Sequence, residues 1–141
     1  MPADCRALLV LRQAQHTLGR RADVKTTARR LLERSEHLLE RHPESSMAAY
    51  VGAVALTDLG DLNRARELAS RALAIDPDDP TVQYNTACVY ALIGDFDRSI
   101  ELLERLVPRL SDQRKALMRT DPDFDPLSNN PRVQALLPAL A

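Results

Sequence analysis

The fold is decided by residues 50–77, YVGAVALTDLGDLNRARELASRALAIDP, and by a partial copy at residues 84–108, YNTACVYALIGDFDRSIELLERLVP. The two stretches align when the sequence is shifted by 34 residues, which places Tyr50 on Tyr84. The same shift superposes further identical residues: Ala53 and Ala87, Gly60 and Gly94, Asp61 and Asp95, Arg64 and Arg98, Leu68 and Leu102, Arg71 and Arg105. A period of this length predicts helical pairs that stack and bury their apolar faces against one another.

The recurring Gly-Asp pair marks the turn inside each predicted helical pair. Only Gly adopts the left-handed conformation of a helix stop at little cost, so Gly60 and Gly94 are expected to end one helix. Asp61 and Asp95 are expected to accept hydrogen bonds from the free N–H groups that open the next helix. The repeated spacing of 34 residues also predicts that Ala53 and Ala87 lie at close contacts between helices.

Composition favours an all-helical chain. The 141 residues are 45% hydrophobic with a formal net charge of −1, and Leu and Ala, both strong helix formers, dominate. This balance excludes a disordered tail, and no apolar run is long enough to span a membrane. The first apolar run, residues 7–11, is too short for a signal peptide, so we expect a cytoplasmic protein. In that setting Cys5 and Cys88 are expected to be small buried hydrophobic residues, with a disulfide as the lesser alternative.

Residues 46–107 resemble tetratricopeptide repeats. The residues that carry the resemblance are Tyr50, Ala53, Leu56, Gly60, Ala65, Ala72 and Pro77 in the first copy, and Tyr84, Ala87, Tyr90, Gly94, Phe96 and Leu102 in the second. Ser99 stands where a smaller residue is usual, and Pro108 arrives early. The resemblance implies a right-handed helical solenoid of about three helical pairs with a short helical C-terminal cap.

We interpret the chain as one domain of four segments. These are a divergent helical pair at 4–43, repeats at 46–79 and 80–110, and a C-terminal cap at 111–141. In the divergent pair, Asp23 is expected to cap the second helix. Its register is distorted, so no repeat position is assigned to residues 4–30.

The cap resembles the segment that closes many bacterial tetratricopeptide arrays, through Asp121-Pro122-Asp123-Phe124-Asp125-Pro126-Leu127. An array of repeats exposes an apolar end face that must be covered. We expect four cap residues to pack against Leu103 and Leu106, namely Phe124, Leu127, Val133 and Leu136. Ser111, Asp125 and Asn130 are expected to open short helices, the last two ahead of proline.

The resemblance places ligand binding in the concave groove lined by the first helix of each pair. The groove candidates are Met47, Tyr50, Val54, Asp58, Thr81, Tyr84, Asn85 and Cys88. We expect them to be at least partly accessible, with Asp58 at the edge, although Tyr50 and Tyr84 have packing between helices as an equal alternative. The family's carboxylate clamp needs Lys and Arg on this face, and the corresponding positions here carry Val54, Asp58 and Cys88. An acidic peptide is therefore not expected, and a neutral, apolar or mildly basic peptide is.

No set of residues predicts catalysis, a cofactor or a metal. His16, His37 and His42 do not share ligand spacing, and Asp121, Asp123 and Asp125 lack the remainder of a calcium loop, which leaves capping as their expected role. A second candidate surface is a basic cluster suited to anions, formed by Arg20, Arg21, Lys25, Arg29 and Arg30. The cluster has no interleaved aromatics, so a solvated face is favoured over nucleic-acid binding.

The sequence therefore predicts a non-catalytic module that binds a protein or peptide partner. Two alternatives remain open: a regulatory segment of a bacterial signalling enzyme of the kinase or cyclase type, and a self-assembling scaffold. A homo-oligomer is compatible with each of them.

Overall fold

Six α-helices form three antiparallel pairs in the computed structural model, which describes the backbone of residues 1–140 and the side chains of residues 1–136. The pairs are α1 (Ala3–Thr17) with α2 (Arg21–Arg41), α3 (Ser46–Leu59) with α4 (Leu62–Ile75), and α5 (Pro80–Ile93) with α6 (Phe96–Leu106). A 3₁₀ turn (Val107–Arg109), α7 (Asp112–Arg119), a 3₁₀ segment (Pro122–Leu127) and α8 (Pro131–Leu140) complete the order. No strand occurs within residues 1–140, so the all-helical solenoid is confirmed.

The Gly-Asp turns are formed largely as the repeat predicts. Gly60 and Gly94 end α3 and α5 in the left-handed conformation, with φ of 83° and 87°. The side chain of Asp61 accepts a hydrogen bond from the Arg64 N–H and caps α4. The expected cap by Asp95 is wrong, since its side chain accepts no hydrogen bond from the N-terminus of α6.

The second helix of the first pair begins earlier in the sequence than the expected capping residue Asp23 indicated. α2 starts at Arg21, after the N-cap position Arg20, so the expectation that Asp23 caps it is wrong. Asp23 lies in the first turn instead, where it pairs with Arg20 at 2.6 Å. A carboxylate in the first turn still faces the positive end of the helix dipole, which accounts for its place there.

Small residues allow the helices to approach closely. Ala53 and Ala87 are fully buried, as expected for contacts between helices. Ser99, which replaces a smaller residue of the pattern, is also fully buried and donates a hydrogen bond from Oγ to the Ala87 carbonyl at 2.7 Å. The hydroxyl is therefore satisfied inside the core, and the departure from the pattern carries no unpaired polar group.

The end of the chain packs on the last repeat. Leu127 and Val133 are buried in the same apolar core as Leu103 and Leu106, and Phe124 and Leu136 are half-buried against it. Residue 141, at the end of the predicted cap, lies outside the described residues. Side chains of Ser111 and Asn130 accept the backbone hydrogen bonds expected of caps.

The segment 121–127, hereafter the strap, departs from the expected cap. Asp125-Pro126 does not open a helix, because Pro126 lies inside the 3₁₀ segment. The strap also packs against α5 and α1 instead of lying only over the end of the array. It therefore crosses the side of the molecule on which the groove was predicted.

The packing of α3 against α2 and α4 leaves no room for a side chain at Gly52, and this gives the first prediction. A methyl group there would lie 2.9 Å from Leu68 Cδ1 and would also clash with the Ser35 hydroxyl. We expect Gly52→Ala to lower the free energy of unfolding by about 1–3 kcal/mol, measured by urea denaturation. Asn63→Ala on the exposed side of α4 serves as the control, with a change within about 0.5 kcal/mol. Equal stability of Gly52→Ala and wild type would contradict this packing.

Candidate functional site

The strap is held by an ion-pair network centred on Arg12. This arginine lies on α1 and is only 3% exposed. Its guanidinium pairs with Asp58 at the end of α3, and its Nη1 lies 3.4 Å from Asp123 Oδ2 in the strap. One buried cation therefore joins three elements that are far apart in the sequence.

His16 completes the network from the next turn of α1. Its Nε2 lies 2.8 Å from Asp58 Oδ1, which also accepts a hydrogen bond from Arg12 Nη2 at 3.2 Å. Burial opposes ionisation of Asp58, but the hydrogen bond from His16 and the charge of Arg12 outweigh it and lower the pKa of Asp58. Asp123 has the opposite balance, because burial raises its pKa more than Arg12 lowers it. Asp58 is therefore the better-stabilised carboxylate of the two.

Tyr84 on α5 holds the other end of the strap. Its hydroxyl donates a hydrogen bond to the Asp121 carboxylate, and its ring meets Phe124 edge-on, with centroids 5.5 Å apart. Burial and the nearby carboxylate together raise the pKa of Tyr84, so the phenol remains a proton donor. Asp121 also accepts a hydrogen bond from the Asp123 N–H and caps the 3₁₀ segment, as predicted.

Cys88 lies beneath the strap with two carboxylates beside it. Its Sγ and the oxygens of Asp121 and Asp123 lie within 4.8 Å of one another. A thiolate and two carboxylates form a ligand set for a divalent cation, yet Arg12 and Tyr84 already engage both carboxylates. Burial raises the pKa of the Cys88 thiol, which disfavours the thiolate a metal requires. The expectation of no bound metal stays a prediction.

The predicted accessibility of the groove is wrong for three residues. Tyr50, Val54 and Cys88 are all buried, and burial raises the pKa of Tyr50 to about 12. The expectation that Asp58 lies at an open edge is also wrong, since its side chain is 3% exposed in contact with Arg12. The physical reason is that the strap packs against α5, while α1 contributes Leu8 to the apolar cluster that contains Tyr50. The remaining candidates stay on the surface or half-buried: Met47, Thr81, Tyr84 and Asn85.

Arg12 is the residue that sequence reasoning missed. It lies in the divergent first pair, to which no repeat position was assigned, so nothing marked it as facing the groove. One signal was present, because Arg12 falls between Leu8 and Gln15 on the helix side opposite the exposed positions Val10 and Ala14. A cation on the apolar side of a helix predicts a buried carboxylate partner.

An open cleft remains beside the strap. It has a volume of about 560 Å³ and lies between α1, α5 and α7. Its lining residues are Gln13, Thr17, Thr81, Tyr84, Asn85, Leu110, Arg114, Leu117, Thr120, Asp121 and Pro122. Three of the predicted groove residues, on one face of α5, therefore line the part of the concave side that the strap leaves uncovered.

The basic cluster lies apart from this cleft, at the start of α2. Arg20, Arg21, Lys25, Arg29 and Arg30 are all exposed. Within the described residues, only Arg20 of these five has an ion-pair partner, Asp23. The five side chains are thus open to solvent, and their expected role as a solvated face stays a prediction.

Stacked helical pairs with a ligand-sized cleft on the side of the first helices define a helical repeat protein. Two family models described as tetratricopeptide repeat match the chain, one over residues 25–80 and the other over residues 56–120. The chain belongs to the tetratricopeptide repeat family. Neither match includes the strap, and no curated protein matches the chain. No described helix combines the length and apolar character needed to cross a membrane.

The network around Arg12 gives the second prediction. Arg12→Met leaves Asp58 and Asp123 buried without their cation, so the free energy of unfolding at pH 7 should fall by about 3–5 kcal/mol. Without the cation, burial raises the pKa of Asp123 further above its value in the unfolded chain, whereas His16 still holds a hydrogen bond to Asp58. A carboxyl with a raised pKa in the folded state gains stability as the pH falls, so the deficit should shrink between pH 7 and pH 5. Urea denaturation at both values measures it.

The matched control is Arg6→Met, which removes an exposed arginine from the same helix. Its effect should stay within about 0.5 kcal/mol at either pH. A deficit of Arg12→Met that is independent of pH would show that lost packing, and not unpaired charge, explains the destabilisation.

Proposed function

We propose that the protein binds a peptide segment of a protein partner, without catalysis, in the cleft between α1, α5 and α7. Tetratricopeptide repeats generally mediate protein–protein interaction, and proteins built from them are typically non-catalytic scaffolds. The observation that carries the proposal is the position of the cleft, because it is the uncovered part of the concave side. The strap occupies the remainder of that side.

The lining of the cleft supports binding to a peptide main chain. Asn85 donates a hydrogen bond from Nδ2 to the Thr81 carbonyl at 2.8 Å, which fixes the orientation of its amide. Its Oδ1 has no partner among the described residues and can therefore accept a hydrogen bond from a backbone N–H of the peptide. Hydroxyl and amide groups of Thr17 and Gln13 line the opposite wall.

An apolar wall supports recognition of side chains. Leu117 of α7 is 64% exposed, and Leu110 also belongs to the lining. Burying this exposed leucine under an apolar side chain of a ligand would contribute favourably to the free energy of binding. The carboxylate of Asp121 is already bonded to Tyr84, so the remaining charge in the lining is Arg114. A largely apolar peptide fits this wall, in keeping with the expected class of ligand.

The basic cluster is the alternative binding surface, and it differs in its response to salt. Contacts between its cations and phosphates would weaken steeply as salt increases, whereas a hydrogen bond and an apolar wall change little. A regulatory segment of a signalling enzyme would use the same cleft for a neighbouring domain. The alternative of a self-assembling scaffold requires contacts between copies of the chain, which would use a surface other than the cleft.

A peptide selected on the full chain from a random phage-displayed library gives the third prediction. We expect Asn85→Ala and Leu117→Asp each to weaken its binding about tenfold, the effect of roughly one lost hydrogen bond or one lost apolar contact. Fluorescence anisotropy measures the affinity, at about 50 mM and about 500 mM NaCl. Affinity should change little between these salt concentrations.

The double variant Arg29→Ala/Arg30→Ala is the control, because it removes two exposed cations outside the cleft. Its affinity for the selected peptide should equal that of wild type. A peptide whose binding survives both cleft variants, and is lost in the control and at high salt, would overturn the cleft in favour of the basic cluster.

A further inference from the structure

We infer that the strap occupies a binding site for an acidic segment of a partner protein, and that such a segment binds by taking the place of the strap. The site, hereafter the covered site, is formed by Arg12 on α1 and by Tyr84 and Cys88 on α5. Residues 121–124 of the strap lie on it. The covered site differs from the open cleft of the proposed function because it lies beneath the strap and contains a buried cation.

The seated strap shows which chemistry the covered site selects. Tyr84 donates its hydroxyl to the carboxylate of Asp121, and Arg12 pairs with the carboxylate of Asp123. The ring of Tyr84 also meets the ring of Phe124 edge-on. These contacts recognise two carboxylates on alternate residues, followed directly by an aromatic ring. The preferred occupant is therefore an acidic segment of the pattern Asp-x-Asp-aromatic, whose charge complements that of Arg12.

The cation of the covered site comes from outside the helices on which the groove was predicted. Neither α3 nor α5 contains a Lys or an Arg, and an acidic peptide was not expected on them for this reason. Arg12 brings a guanidinium to the same side of the molecule from α1. A site that includes α1 therefore favours acidic segments, whereas the open cleft favours apolar ones.

The ion pairs of the network permit the strap to leave. Asp58 accepts hydrogen bonds from two nitrogens of Arg12, whereas Asp123 accepts one, at 3.4 Å. Arg12 thus keeps a carboxylate partner after the strap departs, and no unpaired buried cation remains. Burial raises the pKa of Asp123, so its carboxylate is better stabilised when water surrounds it.

The apolar anchors of this part of the chain lie at its two ends. Met118, before the strap, and Leu127, at its end, are 4% and 1% exposed and belong to the same apolar core. Between them the buried residues are Asp121 and Asp123, which polar contacts hold, and Phe124 is only half-buried. The intervening residues can therefore leave the covered site while both anchors stay in the core.

A tethered strap competes with any free segment at an effective concentration of about 1 mM. A free segment that makes the same contacts therefore binds the wild-type chain only near this concentration. Weakening the contacts of the tethered strap should raise the affinity for the free segment. A purely structural strap gives no such gain, because weakening it creates no binding site for the segment.

Binding of the strap sequence as a separate peptide gives the fourth prediction. The probe is an amidated, fluorescein-labelled peptide of residues 120–127, TDPDFDPL. The full chain with Asp121→Asn/Asp123→Asn should bind it at least about tenfold more tightly than wild type, because its own strap has lost the charged contacts. Fluorescence anisotropy measures the affinity. A probe that itself carries Asp121→Asn and Asp123→Asn is the matched control and should bind this variant at least about tenfold more weakly.

Alkylation of Cys88 shows where the probe binds. Cys88 is 3% exposed beneath the strap, and Cys5 on α1 is fully buried. N-ethylmaleimide should label Cys88 faster in Asp121→Asn/Asp123→Asn than in wild type, and the probe should slow this labelling again. Mass spectrometry distinguishes the two thiols. Adding Asn85→Ala, which alters the open cleft, should leave binding and protection unchanged, so a failure of the proposed function is a separate result.

Phe124→Ala is a second way to weaken the strap, since it removes the ring against Tyr84 and keeps both carboxylates. Circular dichroism checks that each variant keeps its helices. Tighter binding of the probe by either folded variant supports the inference. It is overturned if no folded variant binds the probe more tightly than wild type, or if binding does not depend on the carboxylates of the probe. Unfolding of both variants also overturns it, because a strap that the fold requires cannot be exchanged.

Discussion

The buried guanidinium of Arg12 is the constraint on which the arrangement of the concave side depends. A charge at this depth is tolerated only beside carboxylates, and Asp58 and Asp123 supply them from α3 and from the strap. These ion pairs balance the charge, and they also fix the positions of α1, α3 and the strap relative to one another. Because neither carboxylate is near Arg12 in the sequence, satisfying one cation draws the first helix and the end of the chain to the same place.

This arrangement changes what a tetratricopeptide array usually offers a partner. The groove of such an array is an open concave surface, but here the chain's own strap fills much of it and buries Cys88. The cleft beside Asn85 is smaller and has a mixed wall of amides, hydroxyls and leucines. Selectivity in a cleft of this kind comes from a few fixed polar groups together with the shape of the apolar wall.

The sequence predicts the repeat well because its signals are local. Gly60 and Gly94 end their helices because each helix stop needs a residue in the left-handed conformation. Buried alanines such as Ala53 follow from the 34-residue period. The concave side could not be predicted in the same way. The strap carries a recognisable motif, yet nothing in the motif states that Asp123 pairs with a residue 111 positions earlier. A long-range ion pair leaves only a weak signal in the sequence, which in this chain is an arginine on the apolar side of α1.

Contacts in a repeat array are usually between neighbours, so such an array can be completed one unit at a time from its first residue. The contact between α1 and the strap removes that property. During synthesis on the ribosome, Arg12 emerges long before Asp123, and until then its guanidinium has only Asp58 to balance it. The first helix therefore reaches its final environment late, after the last repeat has been made, and until then Arg12 lacks the cover that the strap provides.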